Sequence, residues 1–97
     1  MDYKIIWSIE ALSNLEEILN YLIEKWSQRE IDNFKKKLTK QIELITLFPT
    51  MFPVSLINSK LRRAVLSKQT TIYYRLEENA IYLVFIFSNS MDVRRLK

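Results

Sequence analysis

Residues 60–87 read KLRRAVLSKQTTIYYRLEENAIYLVFIF and contain three runs rich in β-branched and aromatic residues. Polar pairs at Lys68-Gln69 and Glu78-Asn79 separate these runs, as is typical of tight turns between neighbouring strands. The stretch therefore predicts a three-stranded antiparallel meander, although neither turn contains a glycine.

The register of this meander follows from placing the two polar pairs at the tips of the turns. Arg75 then faces Tyr82 and shares its side of the sheet with Tyr73, while Arg62 falls opposite Arg75. The other predicted pairs are Glu77 with Ala80, Leu76 with Ile81, Tyr74 with Leu83, Tyr73 with Val84, Ile72 with Phe85, Thr71 with Ile86 and Val65 with Ile72. The pattern predicts one open surface that carries two arginines and two tyrosines.

The predicted pairing of Arg62 with Arg75 has two interpretations. Like charges directly across a ladder destabilise it by up to about 1 kcal/mol, so a chain that keeps them is expected to use them to hold an anion. Alternatively, Glu77 or a helix carboxylate neutralises the arginines, or the register is shifted by one residue and the pair does not form.

An apolar strand and two amphipathic helices precede the meander. Residues 3–7 predict the strand, and Ser8 is placed to cap the first helix. Ser27 and Glu30 match a capping box that starts the second helix, which Pro49 ends. The apolar positions recur at spacings of three and four, at Ile9, Leu12, Leu15, Ile18, Leu19, Leu22, Ile23 and Trp26 in the first helix, and at Ile31, Phe34, Leu38, Ile42, Ile45 and Phe48 in the second.

Charge divides between the outer faces of the two helices. The first is acidic, through Glu10, Glu16, Glu17 and Glu24, and the second carries Lys35, Lys36, Lys37 and Lys40. Each face is interpreted either as a solvated surface or as a contact surface. The acidic face would suit a basic protein segment or a second copy of the chain, and the basic face would suit nucleic acid or an acidic partner.

The composition limits the chemistry. The chain has 97 residues, enough for one domain over residues 1–97, and it contains neither cysteine nor histidine. Disulfides, thiolate metal sites and the usual general base are therefore excluded, and we expect no metal and no cofactor. The net charge of +4 weakly favours nucleic acid or an acidic protein as a partner. No apolar run approaches the ~20 residues of a membrane span, so we expect a cytoplasmic protein without a membrane partner.

The order of strand, helix, helix and three strands predicts an α+β two-layer sandwich, in which the helical hairpin covers one face of the sheet. From Tyr3 to Lys97 the chain resembles the RelE/ParE superfamily of toxins from bacterial type II toxin–antitoxin systems. The stretches that carry this resemblance are Ile6-Trp7-Ser8, Phe48-Pro49, Phe52-Pro53, residues 61–66, residues 71–75 and Ile86-Phe87.

The resemblance implies a growth inhibitor that a cognate antitoxin silences in a hetero-oligomer. The long helical hairpin is more similar to the ParE branch, which is associated with plasmid stabilisation and with poisoning of DNA gyrase. The alternatives are a RelE-like endonuclease that cuts mRNA on the ribosome, without a metal, and an inactive member that only binds its antitoxin. The fold alone does not choose among these targets.

Different residues would serve each activity. For RNA cleavage, the candidate catalytic cations are Arg62, Arg75, Lys60 and Lys68. For binding of nucleic acid or a target protein, the candidates are Arg62, Arg63, Tyr73, Arg75, Tyr82, Arg94 and Arg95. No residue is an obvious general base, which favours a gyrase poison because such a toxin needs none. The antitoxin-binding residues are not predicted.

The sequence departs from the family in its last residues. Family members often carry the segment Phe-x-x-Arg-x-x-Pro after the last strand, and this chain has Ser90 and Val93 where the arginine and the proline are expected. Arg94 and Arg95 could supply the missing cation from further along the chain. Whether this copy is active therefore stays open.

Overall fold

The structure, a computed structural model, describes residues 3–89. Over this range the elements are β1 (Lys4–Trp7), α1 (Ile9–Lys25), α2 (Gln28–Leu47), β2 (Arg62–Val65), β3 (Thr70–Glu77) and β4 (Ala80–Ser88). This order confirms the predicted α+β fold with an N-terminal strand, a helical hairpin and three further strands. Neither helix has both the length and the apolar character needed to cross a membrane.

The sheet has the strand order β1-β4-β3-β2. The two hairpins β2–β3 and β3–β4 are antiparallel, whereas β1 lies parallel to β4 at one edge. The helical hairpin supplies the crossover that a parallel pair requires. Its buried residues, such as Ile18 and Ile45, pack in one core with Ile72, Tyr74 and Leu83, so the helices cover a single face of the sheet.

Two polar side chains attach α1 to β4. The Ser8 hydroxyl oxygen accepts a hydrogen bond from the Ala11 N–H at 2.9 Å, which confirms the predicted N-cap, and the hydroxyl also donates to the Val84 carbonyl at 2.6 Å. One turn further along, the Asn14 side-chain oxygen accepts from the Ile86 N–H at 2.9 Å. The start of α1 is therefore fixed to the last described strand by side chains as well as by apolar packing.

The second helix begins and ends where the sequence predicts, but the capping box does not form as expected. Ser27 precedes α2 without a side-chain capping bond, although its carbonyl accepts from the Glu30 N–H at 3.1 Å. The helix ends at Leu47, two residues before Pro49.

The apolar stripe predicted for α1 is only partly covered. Ala11 and Ile18 are buried and Leu15 and Leu22 pack against the core. Ile9, Leu12, Ile23 and Trp26 remain exposed. Positions 9, 12 and 23 lie roughly 90–180° around the helix from Ile18, so they form a second face that the sheet does not reach.

The predicted register between β3 and β4 is confirmed as far as the pair of Tyr74 with Leu83 and is wrong beyond it. There Val84 is an extra residue in β4, so that Tyr73 pairs with Phe85 instead of Val84 and Ile72 pairs with Ile86. This β-bulge coincides with the α1 contacts, because the Val84 carbonyl bonds to the Ser8 hydroxyl.

The predicted register between β2 and β3 is also wrong, by one residue. Arg62 pairs with Tyr74 rather than with Arg75, and Ala64 rather than Val65 pairs with Ile72. The cause is the turn: the Leu66 N–H bonds to the Thr70 carbonyl at 2.8 Å, which leaves three residues at the tip instead of two. A shift of one residue moves every side chain of β2 to the opposite face.

Candidate functional site

Four polar or aromatic side chains lie on the sheet face that the helices leave uncovered. The register pairs Arg63 with Tyr73 and Arg75 with Tyr82, so these residues share that face. We call it the open face. Three of the four residues predicted to converge are therefore together, and Arg63 takes the place that the sequence analysis gave to Arg62.

A stacked aromatic pair lies within the open face. The rings of Tyr73 and Phe85 have centroids 4.5 Å apart and an angle of 16° between their planes. Sequence reasoning missed Phe85, because without the bulge it falls on the core side opposite Ile72. The pair presents a half-buried, rigid aromatic surface of the kind on which a base or an apolar side chain can pack.

Arg75 is held between an aromatic ring and a carboxylate. Its guanidinium carbon lies 4.9 Å from the centre of the Tyr82 ring, and its Nε lies 2.6 Å from Glu77 Oε2. Nε has no hydrogen-bond partner within residues 3–89, so the contact counts as an ion pair only. Both side chains are 41–50% exposed, so the ion pair is worth at most about 1 kcal/mol. The predicted alternative, in which Glu77 neutralises an arginine, is confirmed for Arg75.

Arg62 lies on the covered side and holds the loop that follows α2. Its Nη1 donates to the Phe52 carbonyl at 2.7 Å and to the Thr50 carbonyl at 3.3 Å. The prediction that Arg62 and Arg75 form one cationic pair is therefore wrong. Arg62 instead donates hydrogen bonds to carbonyl groups of the loop after α2, which lies outside the sheet and so has no strand ladder to pair them.

Tyr74 holds the same loop from below. Its buried hydroxyl donates to the Pro49 carbonyl at 2.6 Å, and its ring meets Phe52 edge to face at 6.2 Å. Burial raises the pKa of Tyr74 to about 12, and the neighbouring Arg62 guanidinium partly opposes this increase. A neutral hydroxyl at this position supports the loop; it is not placed for proton transfer on the open face.

The remaining cationic candidates do not gather at one point. Lys60 precedes β2 and Lys68 follows it, both exposed, so they flank a strand that spans roughly 13 Å. Arg62 points to the covered side and Arg75 is paired with Glu77. Arg94 and Arg95, together with Ser90 and Val93, lie outside the described residues.

A cleft of about 320 Å³ lies away from the open face, between the helical hairpin and the β2–β3 turn. Its lining includes Leu22, Trp26, Phe34, Leu66 and Thr70. None of the candidate catalytic or target-binding residues lines it, although Lys37 of the basic face of α2 does. Among residues 3–89, no three carboxylates are grouped closely enough to hold a metal ion.

Solved structures from toxin–antitoxin systems are similar to this arrangement of a helical hairpin on a four-stranded sheet. The chain is similar to the chromosomal ParDE system from P. aeruginosa, with a TM-score of 0.74 and 11% identity over 89% of this chain and 95% of that one. It is also similar to the E. coli DinJ–YafQ complex, with a TM-score of 0.65 and 10% identity over 94% of this chain and 97% of that one. For a copper-bound mutant toxin from Helicobacter pylori the TM-score is 0.59 and the identity is 11%, over 92% of this chain and 96% of that one. At these identities the likeness concerns the fold alone.

The sequence identifies the family. The profile described as the ParE toxin of the type II toxin–antitoxin system, parDE, matches residues 5–93, so the chain belongs to the ParE toxin family. No curated protein sequence matches it.

Proposed function

We propose that this ParE-family toxin arrests growth by binding DNA gyrase and trapping its complex with cleaved DNA. The observation that carries this proposal, besides family membership, is the dispersal of the four cations considered for catalysis. Phosphodiester cleavage needs charge stabilisation focused on one phosphate. A poison that works by binding has no such requirement.

The open face is the first surface that we assign to target contact. Arg63 supplies a cation beside Tyr73, and the stacked pair of Tyr73 and Phe85 supplies rigid apolar area. Arg75 lies over the ring of Tyr82 and forms an ion pair with Glu77. Aromatic and arginine side chains on a preorganised surface are those that contribute most to binding a macromolecule.

One observation favours a second candidate, a ribosome-dependent mRNA endonuclease. The stack of Tyr73 on Phe85 beside Arg63 resembles the aromatic and cationic surfaces that bind unpaired bases. This candidate requires a proton acceptor for the 2′-hydroxyl. Tyr73 and Tyr82 are the hydroxyls on the open face that such a mechanism would have to use.

We propose a cognate antitoxin as the second partner, in a hetero-oligomer formed in the cytoplasm. Support comes from the family description and from the P. aeruginosa and E. coli structures, which are those of a toxin–antitoxin system and a toxin–antitoxin complex. Binding of an antitoxin to the folded toxin would also stabilise it by mass action.

The test combines induced expression with assays on purified components. If gyrase is the target, the purified toxin converts supercoiled plasmid to linear DNA in the presence of gyrase and ATP, and cells show a DNA-damage response. Transcripts cut at codon positions during translation, without linear plasmid, would instead support the endonuclease. If growth continues and neither linear plasmid nor cut transcripts are seen, the chain is an inactive member of the family that only binds its antitoxin.

A further inference from the structure

The end of α2 and the loop that follows it expose an unusual number of large apolar side chains. They are Leu47, Phe48, Met51, Val54, Leu56 and Ile57, which we call the loop patch. Leu56 is 94% exposed and Ile57 is 92% exposed, close to the values of an isolated residue. Single exposed apolar residues need no explanation, but a run of six within eleven positions marks an interaction surface.

The loop patch is held in place by hydrogen bonds at its base. The buried Ser55 donates its N–H to the Leu61 carbonyl at 2.7 Å, and its hydroxyl oxygen accepts from the N–H groups of Ile57 and Asn58 at 3.2 and 3.4 Å. The Arg63 N–H donates to the Pro53 carbonyl at 3.0 Å. These bonds fix Leu56 and Ile57 in an exposed position, so little ordering entropy remains to be lost when a partner binds.

The contacts that hold the first part of the loop come from the covered side of the sheet. Arg62 donates to two carbonyls of residues 50–52, and Tyr74 donates to the Pro49 carbonyl. Phe52 turns inward against Tyr74, whereas Phe48 and Met51 turn outward. The loop thus has an inner side that packs and an outer side that has no partner within residues 3–89.

The sequence that contains the loop patch and the next two strands carries charge of one sign. Residues 44–76 contain no Asp or Glu, and their charged residues are Lys60, Arg62, Arg63, Lys68 and Arg75. The first three lie at the base of the loop, where Val54 bridges to Arg62. A partner that covers this region must therefore offer apolar surface together with negative charge.

We infer that the loop patch is the docking element for the target protein, with Leu56 and Ile57 entering an apolar hollow that carboxylates border. This inference rests on the proposed function, because it takes the target to be a protein. A protein fits the patch better than nucleic acid does, since the two most exposed side chains carry no hydrogen-bond donor and their burial needs an apolar site.

The experiment compares the double variant Leu56→Ser/Ile57→Ser with the matched control Ile9→Ser/Leu12→Ser, which removes two exposed apolar side chains from α1. The loop variant is expected to keep the Tm of the wild type, because Leu56 and Ile57 are almost fully exposed, and the control is expected to stay folded. We expect the loop variant to lose growth arrest and to bind purified gyrase about tenfold or more weakly, while the control retains both. Lys60→Glu should weaken binding more at low salt than at high salt, and Arg29→Glu, at an exposed position near the start of α2, should not weaken it.

Each result has a distinct meaning. Growth arrest by the loop variant at wild-type strength would overturn the inference, whatever the wild type does with gyrase. If the wild type arrests growth without binding gyrase, the proposed function fails, and loss of arrest in the loop variant alone would still support docking to another protein. A loop variant that arrests growth but is no longer silenced by its antitoxin would assign the patch to the antitoxin and overturn target docking. Target docking would also be overturned if the loop variant lost binding to plasmid DNA alone, without gyrase, to the same extent as it lost binding to gyrase.

Discussion

At the scale of single residues, Tyr74 joins the sheet to the loop through one hydroxyl. The pKa of this hydroxyl is about 12 in the folded chain and about 10 in the unfolded chain, since burial disfavours the phenolate. The folded state therefore holds its proton at pH values where the unfolded state has lost it. The resulting stability is fully present below about pH 10 and is lost as the pH rises through about 12.

The variant Tyr74→Phe tests this assignment. At neutral pH it should lower the free energy of unfolding by about 1–2 kcal/mol, because the Pro49 carbonyl loses its donor. Above about pH 10 only the wild type should lose stability through this group, so the difference between the two proteins should shrink and then reverse. Urea unfolding at several pH values measures it, and parallel curves for the two proteins would contradict the assignment.

Glu78 is the one residue with a positive φ among residues 3–89, at 36°. This conformation is costly for glutamate, and asparagine adopts it more readily. Glu78→Asn should therefore raise the free energy of unfolding by about 0.5–1 kcal/mol. The control Lys68→Asn changes the other turn, where φ is not positive, and should give no gain in the same urea measurement.

At the scale of elements, the two helix starts provide a matched comparison. Ser8→Ala removes both the capping bond to the Ala11 N–H and the bond to the Val84 carbonyl, so it should cost about 1–2 kcal/mol. Ser27→Ala removes no capping bond, and its cost should stay below about 0.5 kcal/mol. Equal losses in thermal or urea unfolding would show that Ser8 does not hold α1 on β4.

The elements were predictable from the sequence because their signals are local. Alternation marks the strands, spacings of three and four mark the helices, and Ser8 and Pro49 mark helix ends. The strand register was not predictable, because it depends on contacts between residues that lie far apart in the sequence. The bulge at Val84 coincides with a bond to Ser8, 76 positions earlier in the chain.

The composition of the open face was therefore only partly predictable. The turn at residues 67–69 has three tip residues where the polar pair suggests two, and this single residue exchanges Arg62 for Arg63 on the open face. Tyr73, Arg75 and Tyr82 were correctly grouped because the β3–β4 turn lies between them. Most of the loop patch gave no periodic signal, because Met51, Val54, Leu56 and Ile57 lie outside the helices and strands.

At the scale of the whole molecule, neighbouring arginines on β2 are expected to have separate effects. Arg63→Ala should weaken growth arrest while leaving the Tm unchanged, because its side chain lies on the open face. Arg62→Ala should lower the free energy of unfolding by about 1–2 kcal/mol through loss of its two carbonyl contacts. Viability counts and thermal unfolding of both variants test this, with Arg29→Ala at an exposed position of α2 as the control. A destabilised Arg63→Ala protein would refute the division.

The parallel pairing of β1 with β4 has a consequence for biosynthesis. Lys4 pairs with Ala80 and Trp7 with Leu83, so β1 cannot pair with β4 until β4 has been synthesised. At roughly 5–20 residues per second, the 76 positions between Lys4 and Ala80 take on the order of 4–15 s to translate. A nascent chain therefore cannot complete this sheet until residues 80–83 have been synthesised.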